Sequence, residues 1–439
     1  MTTILAFIFV LGVLIFVHEL GHFLMARRIG VRVLTFSLGF GPKLLSVRRG
    51  DTEYCVSAIP LGGYVKMAGE NPEDTRSGAS DEFLSKSKWQ RFQVLIMGPV
   101  MNIVLALVVM AVVLYQGADV PVFEQQPMVV GGVAPNSVAA EAGIRPGDRV
   151  IAVDGVRIAT WEEFSMLIIS RAGRQVRLAI DRDGQRIEQP LVPTAVGKYE
   201  LGYIGVEPAL RPQIKEVNPG EPAHEAGLRA GDIVLAVAGE KPIAQPRVIE
   251  LIRAHEGKPL AFEILRQDQP QTITVTPAKT SGTVRIGAQI MPYEFRMVQP
   301  GPVEAVMLSA KKNWEWTRLI VQTLAGLFTR DTPVRQLMGP LAIADLSGDA
   351  AEAGWIQLFS LMAMISLNLG LLNLMPVPVL DGGHITILAL EGLSRRDFSM
   401  KVKEKMLLAG FVLLLMLMVT VLYNDLTRIQ WFQRILPWR

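Results

Sequence analysis

The sequence predicts a multi-domain membrane protein. Four membrane-spanning helices form its core, and two related α+β domains are inserted between the second and the third. Half of the 439 residues are hydrophobic, more than a soluble chain of ordinary composition carries. Four apolar stretches approach the roughly 20 residues that cross a bilayer. Residues 128–290 are instead rich in short β-type runs and turns, and they contain an internal repeat.

The apolar stretches set the limits of the predicted spans. The first has no basic residues before it and no small-residue cleavage site ahead of Arg27. It is therefore predicted to be a retained helix and not a signal peptide. The four spans are Ile4–Ala26, Gln93–Tyr115, Trp355–Leu374 and Met406–Tyr423.

Basic residues are concentrated in the loop between the first two spans and in the loop between the last two. By the positive-inside rule both loops are cytoplasmic, so both termini and the inserted region are predicted to be periplasmic. Three arginines of the C-terminal tail, Arg428, Arg434 and Arg439, argue weakly against this orientation. The basic loop residues are Arg27, Arg28, Arg32, Lys43, Arg48, Arg49, Lys86, Lys88 and Arg91, then Arg395, Arg396, Lys401, Lys403 and Lys405.

Charge and cysteine content exclude several classes of function. The formal net charge is +3, and no basic block interleaves with aromatic residues, which argues against nucleic-acid binding. The single cysteine, Cys55, excludes an intrachain disulfide framework and a cysteine-based zinc cluster. A metal ion would have to be held by carboxylates and by some of the five histidines.

The segment FVHELGHFLMARR, residues 16–28, places three polar side chains inside the first predicted span. On a helix, His18 and His22 lie one turn apart on the same face, so both imidazoles can bind one metal ion. Glu19, between them, can accept a proton from an attacking water molecule. The alternative is a polar cluster with no metal, but ionisable groups inside a membrane are rare and usually functional. The pattern therefore predicts a metal site.

A catalytic zinc ion needs a third protein ligand. The best candidate segment is NLMPVPVLDGGH, residues 373–384, at the end of the third span. Pro376 and Pro378 break the helix there, and irregular backbone at membrane depth is tolerated only where it is buried or lines a cavity. Asp381 is the carboxylate that this break presents. Two readings of the residues remain open, because Asp381 can instead cap a helix over 383–393 and leave His384 as the ligand.

The internal repeat pairs residues 133–155 with residues 217–239 without a gap. Its pattern resembles PDZ domains, which bind peptides by strand addition in a groove headed by a carboxylate-holding loop. The segment Tyr203-Ile204-Gly205-Val206 is the expected loop of the second copy, and MVVGGV (128–133) is a poorer match in the first. The alternative is that both copies are β-rich spacers without bound peptides.

Taken together, these motifs resemble the site-2 protease family of intramembrane zinc metalloproteases, and the likeness covers essentially the whole chain. The resemblance implies one Zn²⁺ held by His18, His22 and Asp381, with Glu19 as catalytic acid and base. It implies that SLGFGP (37–42) and IPLGGYVKM (59–67) form a membrane-reentrant β-hairpin, although a surface hairpin is the alternative. The residues expected to bind or orient substrate are Asn373, Asn102 of GPVMN (98–102), Gly62, Gly63, Pro376 and Pro378.

The resemblance also implies a division of the chain and a set of partners. The substrates would be single-span membrane proteins of the anti-sigma-factor type, cut first by an upstream site-1 protease, together with remnant signal peptides. The PDZ pair would exclude substrates with bulky periplasmic domains.

The expected regions are the N-terminal membrane core (1–127), the first PDZ domain (128–200), the second PDZ domain (201–292), an interfacial amphipathic helical segment (293–350) and the C-terminal membrane core (351–439).

The site is expected in the cytoplasmic leaflet of the bacterial inner membrane. His22 lies five residues before Arg27, about 7 Å along a helix axis. A helical stretch over 303–340 is expected to lie at the outer membrane surface, because it is too short and too charged to span. Two alternative functions are a membrane scaffold with a structural metal site and a metal transporter. The apolar fourth span disfavours the transporter.

Overall fold

The computed structural model describes residues 2–70, 78–197, 200–280, 282–329 and 337–428. It divides into a membrane unit, Met1–Gly117 with Gln299–Arg439, and an inserted unit, Ala118–Val298. The described residues do not include Arg434 and Arg439. The end of the region expected over 351–439 therefore also lies outside them. The helices are α1 (Thr2–Arg28), α2 (Lys88–Tyr115), α3 (Val138–Glu141), α4 (Trp161–Ile169), α5 (Pro222–Glu225), α6 (Gln245–Ala254), α7 (Pro302–Phe328), α8 (Pro340–Ala353), α9 (Trp355–Asn373), α10 (Asp381–Leu393) and α11 (Met400–Thr427).

The strands belong mostly to the inserted unit. In chain order they are β1 (Val33–Arg49), β2 (Thr52–Met67), β3 (Ala118–Pro121), β4 (Gly132–Val133), β5 (Arg149–Val153), β6 (Val156–Arg157), β7 (Val176–Arg182), β8 (Gln185–Leu191), β9 (Thr194–Val196), β10 (Leu201–Tyr203), β11 (Val206–Glu207), β12 (Gln213–Val217), β13 (Ile233–Val237), β14 (Leu260–Arg266), β15 (Gln269–Val275), β16 (Ala278–Thr280), β17 (Thr283–Arg285), β18 (Ala288–Met291) and β19 (Phe295–Val298).

Four of the described helices, α1, α2, α9 and α11, are long and apolar enough to cross a membrane. Each corresponds to one of the predicted spans. Helices α1, α2 and α11 are longer than the apolar stretches that predicted them, while α9 ends one residue earlier than expected. Helix α2 begins at Lys88 because Ser87 caps it. The Ser87 hydroxyl accepts from the Gln90 backbone N–H, and the Gln90 side chain accepts from the Ser87 backbone N–H. Hydropathy detects the apolar part of such a helix and misses its polar first turn.

Strands β1 and β2 form the predicted hairpin, but the hairpin folds back on itself. Residues 35–38 lie between two parts of β2, residues 53–56 and residues 63–66. Phe36 packs edge-to-face against Phe23 of α1, with ring centroids 5.3 Å apart. The sheet therefore rests on the helix that carries the His-Glu-His motif. At its far end Leu44, Leu45 and Val47 are exposed.

Helix α7 differs from its sequence-based description. It has 27 residues, so its length would suffice to span a membrane. The described helices that qualify as candidate spans do not include it, because it carries charges such as Lys311 and Lys312. One face is buried within the membrane unit, where the Ser309 hydroxyl donates to the Leu107 carbonyl of α2 over 2.7 Å. Two helices account for the helical stretch expected over 303–340, since α7 ends at Phe328 and α8 begins at Pro340.

The inserted unit contains two hydrophobic cores. The first repeat domain is defined here by the core that runs from Met128 to Val206, and the second by the core that runs from Ile214 to Ile286. In the first domain β5, β7 and β8 are neighbours in that order within one sheet. The corresponding strands β13, β14 and β15 are neighbours in the same order in the second. The first core thus extends past residue 200, where the sequence placed the domain boundary.

The structure corrects the assignment of the Tyr203–Val206 loop. Ile204 and Val206 lie in the first core, and the Ala139 N–H donates to the Ile204 carbonyl over 2.8 Å. The equivalent bond in the second domain joins Ala223 N–H to the Ile286 carbonyl, also at 2.8 Å. The loop therefore follows its repeat motif along the chain. The second domain has its own loop over residues 285–288, at one side of a groove between α6 and β18.

Each repeat domain contains a buried ion pair in the same place. Asp148 is 2% exposed and accepts two hydrogen bonds from Arg182, at 2.6 and 2.7 Å. Asp232, 1% exposed, is bonded in the same way by Arg266. The Arg182 guanidinium holds the pKa of the Asp148 carboxyl below its usual range, although burial acts in the opposite direction.

We expect Asp148→Asn to destabilise the first repeat domain by about 2–3 kcal/mol, because Arg182 then loses its ionic partner. A lowered folded-state pKa adds stability above the unfolded-state value of about 4, and this stability is lost as pH falls through the folded-state pKa. The loss should therefore be full at pH 7 and disappear in acid. Hydrogen exchange of the full-length protein measures it. Asp232→Asn is the matched control and should loosen only the second domain.

Candidate metal and catalytic site

The structure brings His18, His22 and Asp381 together in one cluster. His18 Nε2 lies 3.2 Å from His22 Nε2 and 3.2 Å from Asp381 Oδ2. The distance from His22 Nε2 to Asp381 Oδ2 is 3.5 Å. Among the described residues these three form a group whose ligand atoms could hold a metal ion, and His384 is not part of it.

The spacing of these atoms fits zinc. In a tetrahedral site with bonds of about 2.0–2.1 Å, ligand atoms lie about 3.3–3.4 Å apart. The three observed separations, from 3.2 to 3.5 Å, bracket that value. Two imidazoles and one carboxylate are also a donor set of catalytic zinc sites that keep a fourth position for water or substrate.

Helix α2 holds His22 from behind. The Nδ1–H of His22 donates to the carbonyl oxygen of Val94 over 2.8 Å, so Nε2 is left to face the cluster. Sequence reasoning missed this partner, because a backbone carbonyl leaves no signal in the side-chain pattern.

Two glycines let α1 and α2 approach each other closely. A Cβ atom on Gly21 would lie 2.4 Å from the Met97 carbonyl oxygen. A Cβ atom on Gly98 would lie 2.2 Å from His22 Nε2 and 2.9 Å from His18 Cε1. The first residue of the GPVMN segment is therefore glycine because a side chain there would occupy the space of the imidazoles.

We expect Gly98→Ala to reduce zinc affinity by at least about tenfold, because its methyl group must displace His22. Zinc retained by purified protein during titration with a chelator measures the effect. Gly12→Ala in α1 is the matched control, since a Cβ atom there meets nothing within 4 Å. If both variants bind zinc as tightly as the parent protein does, the close approach at Gly98 does not shape the site.

Asp381 reaches the cluster because the chain breaks between α9 and α10. Asp381 is the first residue of α10 and Leu380 occupies the capping position, so Asp381 is not the cap of this helix. Val379, two residues earlier, has a φ of +94°, which for a β-branched residue costs on the order of 1–3 kcal/mol. Pro378 in the same break packs on α11. A Cβ atom on Gly410 of α11 would lie 2.2 Å from the Pro378 carbonyl oxygen.

Glu19 lies next to the hairpin. A Cβ atom on Gly63 would come within 2.9 Å of Glu19 Cγ and 2.8 Å of the Ser37 carbonyl oxygen. Gly62 in turn lies against the ring of Phe40, and Phe40 stacks on Tyr64. The glycine pair thus allows β2 to pass directly beside the glutamate.

The remaining predicted site residues differ in their surroundings. Asn102 is fully buried, and its Nδ2 lies 3.3 Å from His18 Nδ1. Asn373 is the last residue of α9, and Pro376 and Pro378 lie in the break that leads to Asp381. Tyr203–Val206 belong to the inserted unit.

A helical membrane core with a His₂Asp cluster and an adjacent glutamate defines an intramembrane metalloprotease. The profile described as "Peptidase family M50" matches residues 6–417, and the chain belongs to that family. It is a site-2 protease-type zinc metalloprotease and an integral membrane protein.

Named relatives match along nearly the whole chain. The "Regulator of sigma-E protease RseP" of Salmonella typhimurium is 37% identical, over 97% of this chain and 98% of its own. The protein of the same name from Escherichia coli shows the same identity and coverage. A "Putative zinc metalloprotease" of Pasteurella multocida is 33% identical over 97% and 98%. Among solved structures, the PDZ domain of an SdrC-like protein from Listeria innocua is 24% identical, with a TM-score of 0.18, and covers 19% of this chain and 93% of that domain.

Proposed function

We propose that this enzyme cleaves the transmembrane segments of single-span membrane proteins after a first periplasmic cut. The observation that carries the proposal is the convergence of His18, His22 and Asp381 at zinc-like spacing within apolar helices. One zinc ion per chain would be held by these residues. When bound, zinc polarises the scissile carbonyl and lowers the pKa of the attacking water.

Glu19 is proposed as the catalytic acid and base. It lies on α1 between the two histidines, and it interacts electrostatically with His22, His18 and Asp381. Its carboxylate can hold the proton taken from water and return it to the leaving amide nitrogen. Neither histidine is free for this role, because both Nε2 atoms face the cluster.

The hairpin is proposed to hold the substrate in an extended form. A transmembrane helix bonds its peptide groups internally, so cleavage requires local unwinding. Residues 63–66 pair with β1 on one side, and among the described residues no further strand pairs with β2. Gly63 lies against Glu19, so a peptide paired along this segment would pass beside the catalytic carboxylate. The exposed Leu44, Leu45 and Val47 support partial insertion of the hairpin into lipid.

The membrane placement follows from the basic loops. We propose that the enzyme lies in the bacterial inner membrane with its termini and repeat domains periplasmic and its site in the cytoplasmic leaflet. The repeat domains would exclude substrates with bulky periplasmic parts. The relatives named as regulators of sigma-E support an anti-sigma factor as substrate. Remnant signal peptides are further candidate substrates. We also propose that α7 lies at the outer membrane surface.

Two matched substrates test this proposal. Both carry the same single transmembrane segment, one with a folded periplasmic domain and one with a short stub. In liposomes that contain the purified enzyme, we expect cleavage within the membrane of the stub form only, and none of either form with Glu19→Gln. Equal cleavage of both forms would refute the size filter. Cleavage outside the transmembrane segment would refute the intramembrane assignment.

A further inference from the structure

We propose that Asn102 is a positioning residue of the metal centre, whose amide sets the tautomer of His18. The inference rests on the proposed zinc ligands and gives Asn102 a task apart from substrate binding. Asn102 is 0% exposed, and its Nδ2 lies 3.3 Å from His18 Nδ1. Among the described residues its Oδ1 is buried and has no hydrogen-bond partner.

The geometry decides which nitrogen of His18 can bind metal. Its Nε2 faces His22 Nε2 and Asp381 Oδ2, each 3.2 Å away, so Nδ1 is the outer nitrogen. A neutral imidazole that binds zinc through Nε2 must carry its proton on Nδ1, and this N–H needs an acceptor. Asn102 is the side chain that lies there.

An amide can serve either tautomer of the ring. With the ring proton on Nε2, His18 donates to Asp381, and Nδ1 accepts from the amide Nδ2 of Asn102. With zinc on Nε2, a half-turn of the amide presents Oδ1, which then accepts from Nδ1–H. In this second arrangement Oδ1 gains a hydrogen bond, and Nδ2 takes the place that has no partner. A leucine can serve neither arrangement, and an aspartate serves only the second.

The two histidines therefore differ in how they are held. His22 donates to a backbone carbonyl, that of Val94, which can only accept. Its tautomer is fixed by the fold. The side-chain amide beside His18 can either donate or accept a hydrogen bond. The tautomer of His18, and with it zinc binding through Nε2, therefore depends on Asn102.

Asn102 is itself fixed by α9 and not by the hairpin that we propose to hold substrate. Its backbone carbonyl accepts from the Ser366 hydroxyl over 2.7 Å, and Ser366 is also fully buried. A Cβ atom on Gly370 would lie 3.0 Å from the Pro99 carbonyl oxygen, so α9 packs tightly on this turn of α2. The approach of the amide to His18 is thus set by helix packing before any substrate binds.

Zinc affinity of the full-length protein in detergent, measured by competition with a chelator, tests the inference. We expect Asn102→Leu, which keeps the volume but has no hydrogen-bonding group, to bind zinc about 10–100-fold more weakly. Asn102→Asp retains an acceptor for Nδ1–H and should stay within about threefold of the parent protein. Equal losses in the two variants, or no loss in Asn102→Leu, would overturn the inference.

A measurement on the unaltered protein avoids any folding defect in the variants. With ¹⁵N-labelled histidine and bound zinc, we expect a resonance for His18 with the proton on Nδ1 and slow exchange with water. Rapid exchange of that proton would contradict a hydrogen bond to the buried amide. If the parent protein binds no zinc at all, the proposed function fails. Parent-like affinity in Asn102→Leu removes only the role of Asn102.

Discussion

Replacing Asp381 by alanine should abolish zinc binding and cleavage together. The variant leaves two imidazoles to hold the ion, and we expect its zinc affinity to fall by more than about 100-fold. Metal content of the purified protein and cleavage of the stub substrate measure the two losses. Asp381 Oδ2 lies 3.2 Å from His18 Nε2, and Asp381 supplies the carboxylate of the three clustered residues.

His384→Ala is the matched control for this experiment. His384 lies in the first turn of α10, three residues after Asp381, and was the rival ligand on sequence grounds. We expect the variant to retain parent-like zinc content and cleavage. Loss of zinc in His384→Ala together with its retention in Asp381→Ala would assign the third ligand to the histidine instead.

Replacing Glu19 by glutamine should abolish cleavage and leave zinc in place. Glutamine has nearly the shape of glutamate but cannot take up a proton, so we expect kcat to fall by about 10²–10⁴-fold. Because Glu19 is not one of the three residues whose ligand atoms cluster, the metal content of the protein should not change. Cleavage assays run beside zinc analysis measure both quantities.

The comparison of the two variants separates a ligand from an acid and base. Asp381→Ala should lose metal and activity, while Glu19→Gln should lose activity alone. Undiminished cleavage by Glu19→Gln would dismiss the proposed role of this residue. Loss of zinc from that variant would instead make Glu19 part of the metal-binding set.

The inserted domains show how distance along the chain misled the sequence analysis. Tyr203–Val206 stand just before the second repeat motif and were assigned to it, but Ile204 packs in the first core. The loop was expected before the repeat motif along the chain, but in each domain it comes after the motif. The matching backbone bonds, from Ala139 to Ile204 and from Ala223 to Ile286, reveal this placement only in the folded structure.

The sequence by itself determined the local features of this protein. A four-residue spacing puts His18 and His22 on one helical face, and continuous apolarity marks the membrane helices, because both depend on neighbours within a turn or a span. Tertiary structure alone brought Asp381, and not His384, into a cluster with the two histidines, and it supplied the Val94 carbonyl, Asn102 and the glycine contacts around the imidazoles. These choices depend on how α1, α2 and α10 pack. Packing joins residues hundreds of positions apart, and no local periodicity records it.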